Sequence, residues 1–495
     1  MKEEVRSAFR FIPSVNELLS HPEVLEASGG VSISVLKSWV QQVVEEYRAK
    51  LINGELPVPS DRNSALLAIV ALAKGLISDW RAPRVGPAVN ATGIILHTGL
   101  GRAVYPVSVL ESVAEDLTSY VNIGVDRRTG ERIERDELLE PILTELTGAE
   151  SATVVNNNAA ATMIVLAALC AGKEVIVSRG QLIEIGGSFR LPDVMRQSGV
   201  RLVEVGTTNR THLRDYISAI TENTAAIMRV HPSNYRIIGF THQPELRELV
   251  ELAHARNLIM IDDLGAGALI DLRQFGLPHE PTAQESIKAG ADIVLFSGDK
   301  LIGGAQAGII LGRRDLIARI RKHPLMRVVR VDKVCLMILE RTLQLFRAPE
   351  RLATLHPLYR VMSTPVEVLE RRARALVEMI RASVPEIQAE IVHSTAYVGS
   401  GSVPEQALPS VAVALEMKGL DAEELAARLR LDQACVFGRI EGERVLLDMR
   451  TVTDQQLGII TGALMRVWQT VYNRVDHETG GGSGSTDVDQ ARSNT

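Results

Sequence analysis

Apolar residues recur at three- and four-residue steps through much of the first 80 positions, in VNELLSHPEVLE, in VSISVLKSWVQQVVEEYRAKLI and in SALLAIVALAKGLISDW. That period matches one face of an α-helix, so residues 1–80 are expected to form a helical N-terminal domain. The Pro- and Gly-bearing stretch APRVGPAVNATG marks the passage into the next part. From about residue 90 to 340 the pattern changes. Short β-branched runs alternate with helical stretches: SATVVNN with AAATMIVLAALCA, EVIVSRG with LPDVMRQSG, RLVEVG with RDYISAITEN, AAIMRVHP with ELRELVELAHARN, then LIMIDD and ADIVLFSG. Strands separated by helices of this length imply an α/β domain, a mainly parallel sheet between helical layers, expected over 81–345. A smaller α+β domain is expected over 346–475, from a helix around PVEVLERRARALVEMIRASV and strands in SVAVALEM and RVLLDMR. The Gly/Ser-rich tail, 476–495, is expected to be flexible.

Composition mainly excludes. A chain of 495 residues is too long for one core. A net charge of −6 announces no polyanion partner. Cys170, Cys335 and Cys435 lie far apart without CxxC spacing, which suits a reducing compartment and argues against a disulfide framework or a cysteine zinc site. No run of about 20 uninterrupted apolar residues and no signal-peptide core is visible, so a cytoplasmic protein without membrane contact is expected. GxxxxGK[ST] is missing, and GLGRAV and GAGALI match GxGxxG only in part. The eleven histidines are scattered without HExxH, and no metal site is expected.

The conspicuous polar residues cluster where the strands are expected to end: Asn156 to Asn158, Arg179, His231 to Asn234, Asp262 and Asp263, and Ser297 to Lys300. Ligands of parallel sheets bind at those ends. A lone lysine is usually a solvated surface charge, but Lys300 stands among Gly298, Gly303, Gly304 and Gly308, which let the backbone approach something closely and leave room for a ring. A strand-end lysine, an aspartate at the end of the preceding strand and a helix beginning after an Asn-rich turn together suit pyridoxal 5′-phosphate. Lys300 would condense with its aldehyde, and Asp263 or Asp262 would hold the pyridine nitrogen protonated. Neighbours on a strand point to opposite faces, so only one of that pair can serve. Asn157, Asn158 and Ala159 at the helix start, with Ser297, would bind the phosphate; helix capping is the competing role for the asparagines. His231, Ser233 and Asn234 are placed to meet the phenolic oxygen, or else to shape a turn.

These residues carry a family likeness. The chain resembles the bacterial selenocysteine synthases, L-seryl-tRNA(Sec) selenium transferases of pyridoxal-phosphate fold type I, through ATGIILHTGLGRA, VVNNNAAATM, VSRGQLIEIGGSFRLPDVMRQSG, VGTTNRTH, VHPSNYRIIGF, DLGAG, SGDKLIGGAQAG and RKHPLMRVVRVDK. The likeness runs from about residue 10 to 470. It implies a seven-stranded-type sheet, Lys300 as the cofactor lysine with Asp299 beside it, and Asp263 rather than Asp262 as the ring-nitrogen partner. It implies conversion of L-seryl-tRNA(Sec) to L-selenocysteinyl-tRNA(Sec) with selenophosphate, by way of an aminoacrylyl-tRNA. Arg102, Arg327 and Arg330 match arginines that handle the selenophosphate, tRNA binding falls to the helical domain, and the family forms a ring of dimers, a decamer. Permanently charged planar forks suit a dianionic donor, and residues 312–350 hold ten Lys/Arg against four Asp/Glu. The chain departs from the family at Ala305, where a proline is usual, and at Gly99, where a polar residue is expected. Alternatives are a related enzyme acting on a small free amino acid, and a non-catalytic tRNA-binding protein on the same fold.

Overall fold

The computed structural model describes residues 3–81, 83–186, 189–232, 235–399 and 407–479. Met1–Pro87 and Ala88–Thr495 form two compact units. In the first, α1 (Ile33–Asn53) and α2 (Arg62–Arg81) supply most of the buried face. Leu36, Val40, Val43, Tyr47 and Leu51 of α1 and Ile69, Val70, Ala73 and Ile77 of α2 fall on the expected helical period and share one core. Trp39 and Trp80 meet with ring centroids 5.8 Å apart. The stretch expected as one helix, VNELLSHPEVLE, is two, Val15–Leu19 and Pro22–Ser28, because Pro22 takes the first turn of a new helix and cannot continue the old one. Helix α2 is long and apolar enough by composition to cross a membrane, yet its apolar side is what forms this core.

The second unit is built on a seven-stranded sheet: β1 (Ser151–Val155), β2 (Glu174–Ser178), β3 (Arg201–Val205), β4 (Thr224–Val230), β5 (Ile259–Gly265), β6 (Ile293–Ser297) and β7 (Gly308–Gly312). Their spatial order is β1-β7-β6-β5-β4-β2-β3. β7 runs antiparallel to both neighbours and the other pairs are parallel. The six strands expected from the sequence all form. The seventh, GIILG, is too short and too closely joined to the Gly-rich turn before it to stand out as a separate run. Strands β1, β2, β6 and β7 are buried end to end, as a sheet covered on both faces requires. Helix α3 (Asn158–Cys170) follows β1 and packs across the sheet.

A four-stranded antiparallel sheet, β8 (Ile387–Tyr397), β9 (Ala407–Met417), β10 (Arg439–Glu441) and β11 (Arg444–Asp448), in the order β8-β9-β11-β10, forms the C-terminal part with its own core. One assignment changes here. Val89–Asn90, expected at the start of the large α/β domain, pairs in parallel with Val436–Phe437, and Val89 and Ala91 are buried in the C-terminal core. A two-residue strand whose partner lies far along the chain leaves no local pattern. The last helix, Gln456–Thr479, runs past the expected start of the tail at 476; residues 480–495 lie outside the described residues.

Candidate active site

The carboxyl ends of β4, β5 and β6 and the start of α3 converge on one rim. Asp262 and Asp263 sit side by side near the end of β5 and, as strand alternation requires, face opposite ways. Asp262 is fully buried and accepts from Arg229 Nε and Nη2 at 2.7 and 2.9 Å, opposite it on β4, and from Ser286 Oγ at 2.7 Å. Asp263 faces α3 instead. Its Oδ1 accepts from Asn158 Nδ2 at 2.9 Å and Gly265 N at 3.0 Å, and its Oδ2 from Thr162 Oγ1 at 3.0 Å. A carboxylate offers about four acceptor positions, so one remains on Oδ2. Burial pushes the Asp263 pKa up, while the hydrogen bonds and the charge of Lys300 pull it down. A bulge in the β5–β6 pairing between Asp263 and Gly265 ends the regular ladder at this point.

The three asparagines divide their work. Asn156 N donates to Val329 O at 2.9 Å, tying the 327–330 segment to the turn before α3. Asn157 caps α3, its side chain accepting from Ala160 N at 2.9 Å, so the competing role expected for it is real. Asn158 holds Asp263, and its Oδ1 is buried without a hydrogen-bond partner among the described residues. The N–H groups of Asn158 and Ala159 open the helix at its positive end. Ser297 ends β6, buried and registered opposite Gly308 of β7.

Lys300 follows three residues later in the turn after β6 and is buried. Burial first, and Arg102 second, push the Lys300 amine pKa down, against Asp299, Asp263 and Glu280. Asp299 is engaged by Arg102, Nη1 to Oδ2 at 2.7 Å. Arg102 has a left-handed backbone, φ 63°, a conformation a non-glycine residue adopts at a cost of roughly 1 kcal/mol. The glycines around Lys300 serve the protein's own atoms, not the room for a ring that the sequence suggested. Gly303 has φ +68° and a Cβ there would strike the His356 ring; a Cβ on Gly308 would strike Asn157 O. The turn is held from below by Tyr359, whose hydroxyl donates to Leu301 O at 2.5 Å. Ala305, where a proline was expected, is fully buried against Val109, Val113, Met337 and Ile338, so packing fixes it without a ring.

His231 follows β4, its N–H donating to Asp263 O at 2.8 Å. Ser233 and Asn234 lie outside the described residues. Gln181 accepts from Val230 N at 3.0 Å and so steadies the strand end beside His231. Arg327 is exposed and Arg330 half-buried. Desolvation and the neighbouring Arg135, Arg327 and Arg132 push the Arg330 pKa down, with Glu134 opposing, and neither Arg327 nor Arg330 makes an ion pair among the described residues. Sequence reasoning missed Glu280 altogether: it is buried, near Lys300 in electrostatic terms, and its pKa is pushed up to about 7 by burial. No periodicity or motif marks it.

A buried lysine at the carboxyl rim, an aspartate with one acceptor position free and a capped helix start between them fit pyridoxal phosphate, and this sheet order with that site defines the fold type I class. A solved D-glucosaminate-6-phosphate ammonia-lyase shares the fold, with a TM-score of 0.55 at 22% identity over 78% of this chain and 97% of that one. Residues 88–453 match the sequence model of L-seryl-tRNA selenium transferase, and residues 9–48 that of the selenocysteine synthase N terminal. The L-seryl-tRNA(Sec) selenium transferase of Caldanaerobacter subterraneus subsp. tengcongensis is 44% identical over 459 residues, 93% of this chain and 98% of the relative. That of Haemophilus influenzae is 42% identical over 450 residues, 90% and 97% of the two chains. The chain belongs to the L-seryl-tRNA selenium transferase family.

Proposed function

We propose that the protein binds pyridoxal phosphate at Lys300 and converts L-seryl-tRNA(Sec) to L-selenocysteinyl-tRNA(Sec) with selenophosphate as donor, in the cytoplasm. The observation that carries this reading is the buried Lys300 amine on the same rim as Asp263 and the start of α3. The cofactor supplies an electron sink for the pair released at Cα. Lys300 Nζ would hold it and, as a free amine, would take the Cα proton; the lowered pKa favours the free amine this needs. Asp263 Oδ2 would accept the ring N–H. Asn158 N, Ala159 N and Ser297 Oγ would hold the phosphate, and His231 would border the ring. Arg102, Arg327 and Arg330 receive the anionic donor as planar forks.

The helical unit recognises tRNA in this reading. Arg48, Lys50, Arg62 and Lys74, half of the eight Lys/Arg in residues 1–80, are paired with acids of the same unit, so shape and a few local contacts carry recognition. Subunits associate as a ring of dimers, a decamer, and exposed Val104, Val107, Leu110, Tyr120 and Val125 offer apolar surface for such contacts.

The test adds pyridoxal phosphate to the purified chain and reads absorbance near the visible edge. A band that is lost in Lys300→Ala is expected, with turnover of seryl-tRNA(Sec) and selenophosphate falling on the order of 10⁴-fold or more. No band in the wild type overturns the reading.

A further inference from the structure

Among the described residues the rim holds one buried acid that neither the steps above nor a hydrogen-bond partner engages. Glu280 lies buried in the loop leading to the helix Ala283–Ala289. Its Oε1 approaches His231 Nδ1 at 3.7 Å, and it makes no hydrogen bond among the described residues. His231 Nδ1 is itself buried without a hydrogen-bond partner among the described residues. Two uncommitted polar groups thus face each other beside Lys300, where burial makes an unmet hydrogen bond costly.

The other acids of the rim are committed. Asp299 is ion-paired with Arg102. Asp263 accepts three hydrogen bonds on the α3 side, and Asp262 is bound to Arg229 and Ser286 on the other side. Glu280 is the one carboxyl among them with no fixed partner. Burial pushes its pKa up to about 7 against the pull of Lys300, and pushes His231 down to about 4. Around pH 7 the pair therefore holds a neutral imidazole and a carboxyl that keeps its proton a good part of the time.

We propose that Glu280 is the general acid that protonates the leaving β-hydroxyl of the seryl substrate, an inference that rests on the reaction proposed above. The Cα proton passes to Lys300 Nζ and its electron pair stays on carbon. That pair then forms the Cα=Cβ bond as the Cβ–O bond breaks with its own pair on oxygen, that oxygen takes the Glu280 proton, and water leaves. Glu280 remains as a carboxylate beside the new Lys300 ammonium, which stabilises it. When the selenium donor adds at Cβ, with H2Se as the simplest case, Lys300 returns its proton to Cα and the donor's second proton restores Glu280. Hydroxide is a poor leaving group, so an acid at this position is worth about 10² to 10⁴ in rate.

The test compares seryl-tRNA(Sec) with a β-chloroalanyl-tRNA(Sec), whose chloride leaves without a proton, on the full-length cofactor-loaded enzyme. Glu280→Gln is expected to lose roughly 10²-fold or more on the seryl ester and to stay within about threefold of wild type on the chloro ester. Its cofactor absorbance band should be unchanged. Exchange of the seryl Cα proton into D2O, followed by mass spectrometry, should continue, because Lys300 still removes that proton. The wild type provides a second reading that needs no variant. His231 at the end of β4 and Lys300 after β6 are the titratable groups facing Glu280, and the seryl rate should fall as pH rises through about 7, where the carboxyl loses its proton, while the chloro rate should not. Equal loss on both esters, or no loss on either, overturns the proposal. A wild type inactive on both esters overturns the reaction on which it rests.

Discussion

The two ends of the large sheet bury the same kinds of residue in opposite states. At the amino ends every buried charge meets partners. Glu174, the first residue of β2, accepts from Thr221 at 2.5 Å and Thr224 at 3.2 Å and pairs with Arg201. Asp292, just before β6, meets His254 at 3.1 Å, Met260 N at 2.8 Å and Arg313 at 3.2 Å. Asp136 and Glu140 share Arg321, each at 2.9 Å. At the carboxyl ends the Glu280 carboxyl and the Lys300 amine make no hydrogen bond among the described residues, and His231 Nδ1 and Asn158 Oδ1 are buried without one. Native proteins satisfy buried polar groups almost everywhere, so one end that is complete and one that is not separates stability from chemistry within a single sheet.

The sharpest way to break this contrast is Asp263→Asn. Turnover is expected to fall roughly 10²- to 10³-fold, since a neutral amide no longer stabilises a protonated ring nitrogen, while tRNA affinity by filter binding stays within a few fold. An equal loss of affinity and turnover would make Asp263 a structural residue like those at the other end. Asp292→Ala should do the reverse. It leaves Met260 N without its partner and is expected to lower stability by about 1–3 kcal/mol in urea unfolding, with unchanged turnover per folded molecule. The smallest effect is expected from Asn157→Ala, a lost helix cap worth about 1 kcal/mol, read as a small fall in unfolding midpoint. Loss of cofactor retention in that variant beyond its effect on stability would show that Asn157 also meets the phosphate.

Much of this arrangement was legible before the structure. The alternation of β-branched runs with helical stretches located six of the seven strands, and the polar residues after them located the rim. The resemblance singled out Asp263, and the structure turns that carboxyl toward Asn158 and Thr162 of α3. Other features were hidden for physical reasons. Val89–Asn90 finds its partner strand more than 340 residues later. Arg102 reaches Asp299 from a separation of 197 residues, which no local spacing encodes. Glu280 sits in an irregular loop, HEPT, where an acid usually means solvent.

By itself the sequence determined the periodicities, and with them the helical unit, the parallel sheet and the strand ends at which a lysine, an aspartate and three asparagines fall, because side-chain direction along a helix or strand follows from backbone geometry alone. Only the tertiary structure decided which of these groups are spent. Whether a carboxyl is paired, like Asp262 and Asp299, or left without a hydrogen bond among the described residues, like Glu280, depends on what distant segments bring within about 3 Å and how much water they exclude. The glycines around Lys300 show the same division: their spacing marked a close approach, and the fold filled it with His356 and the start of α3.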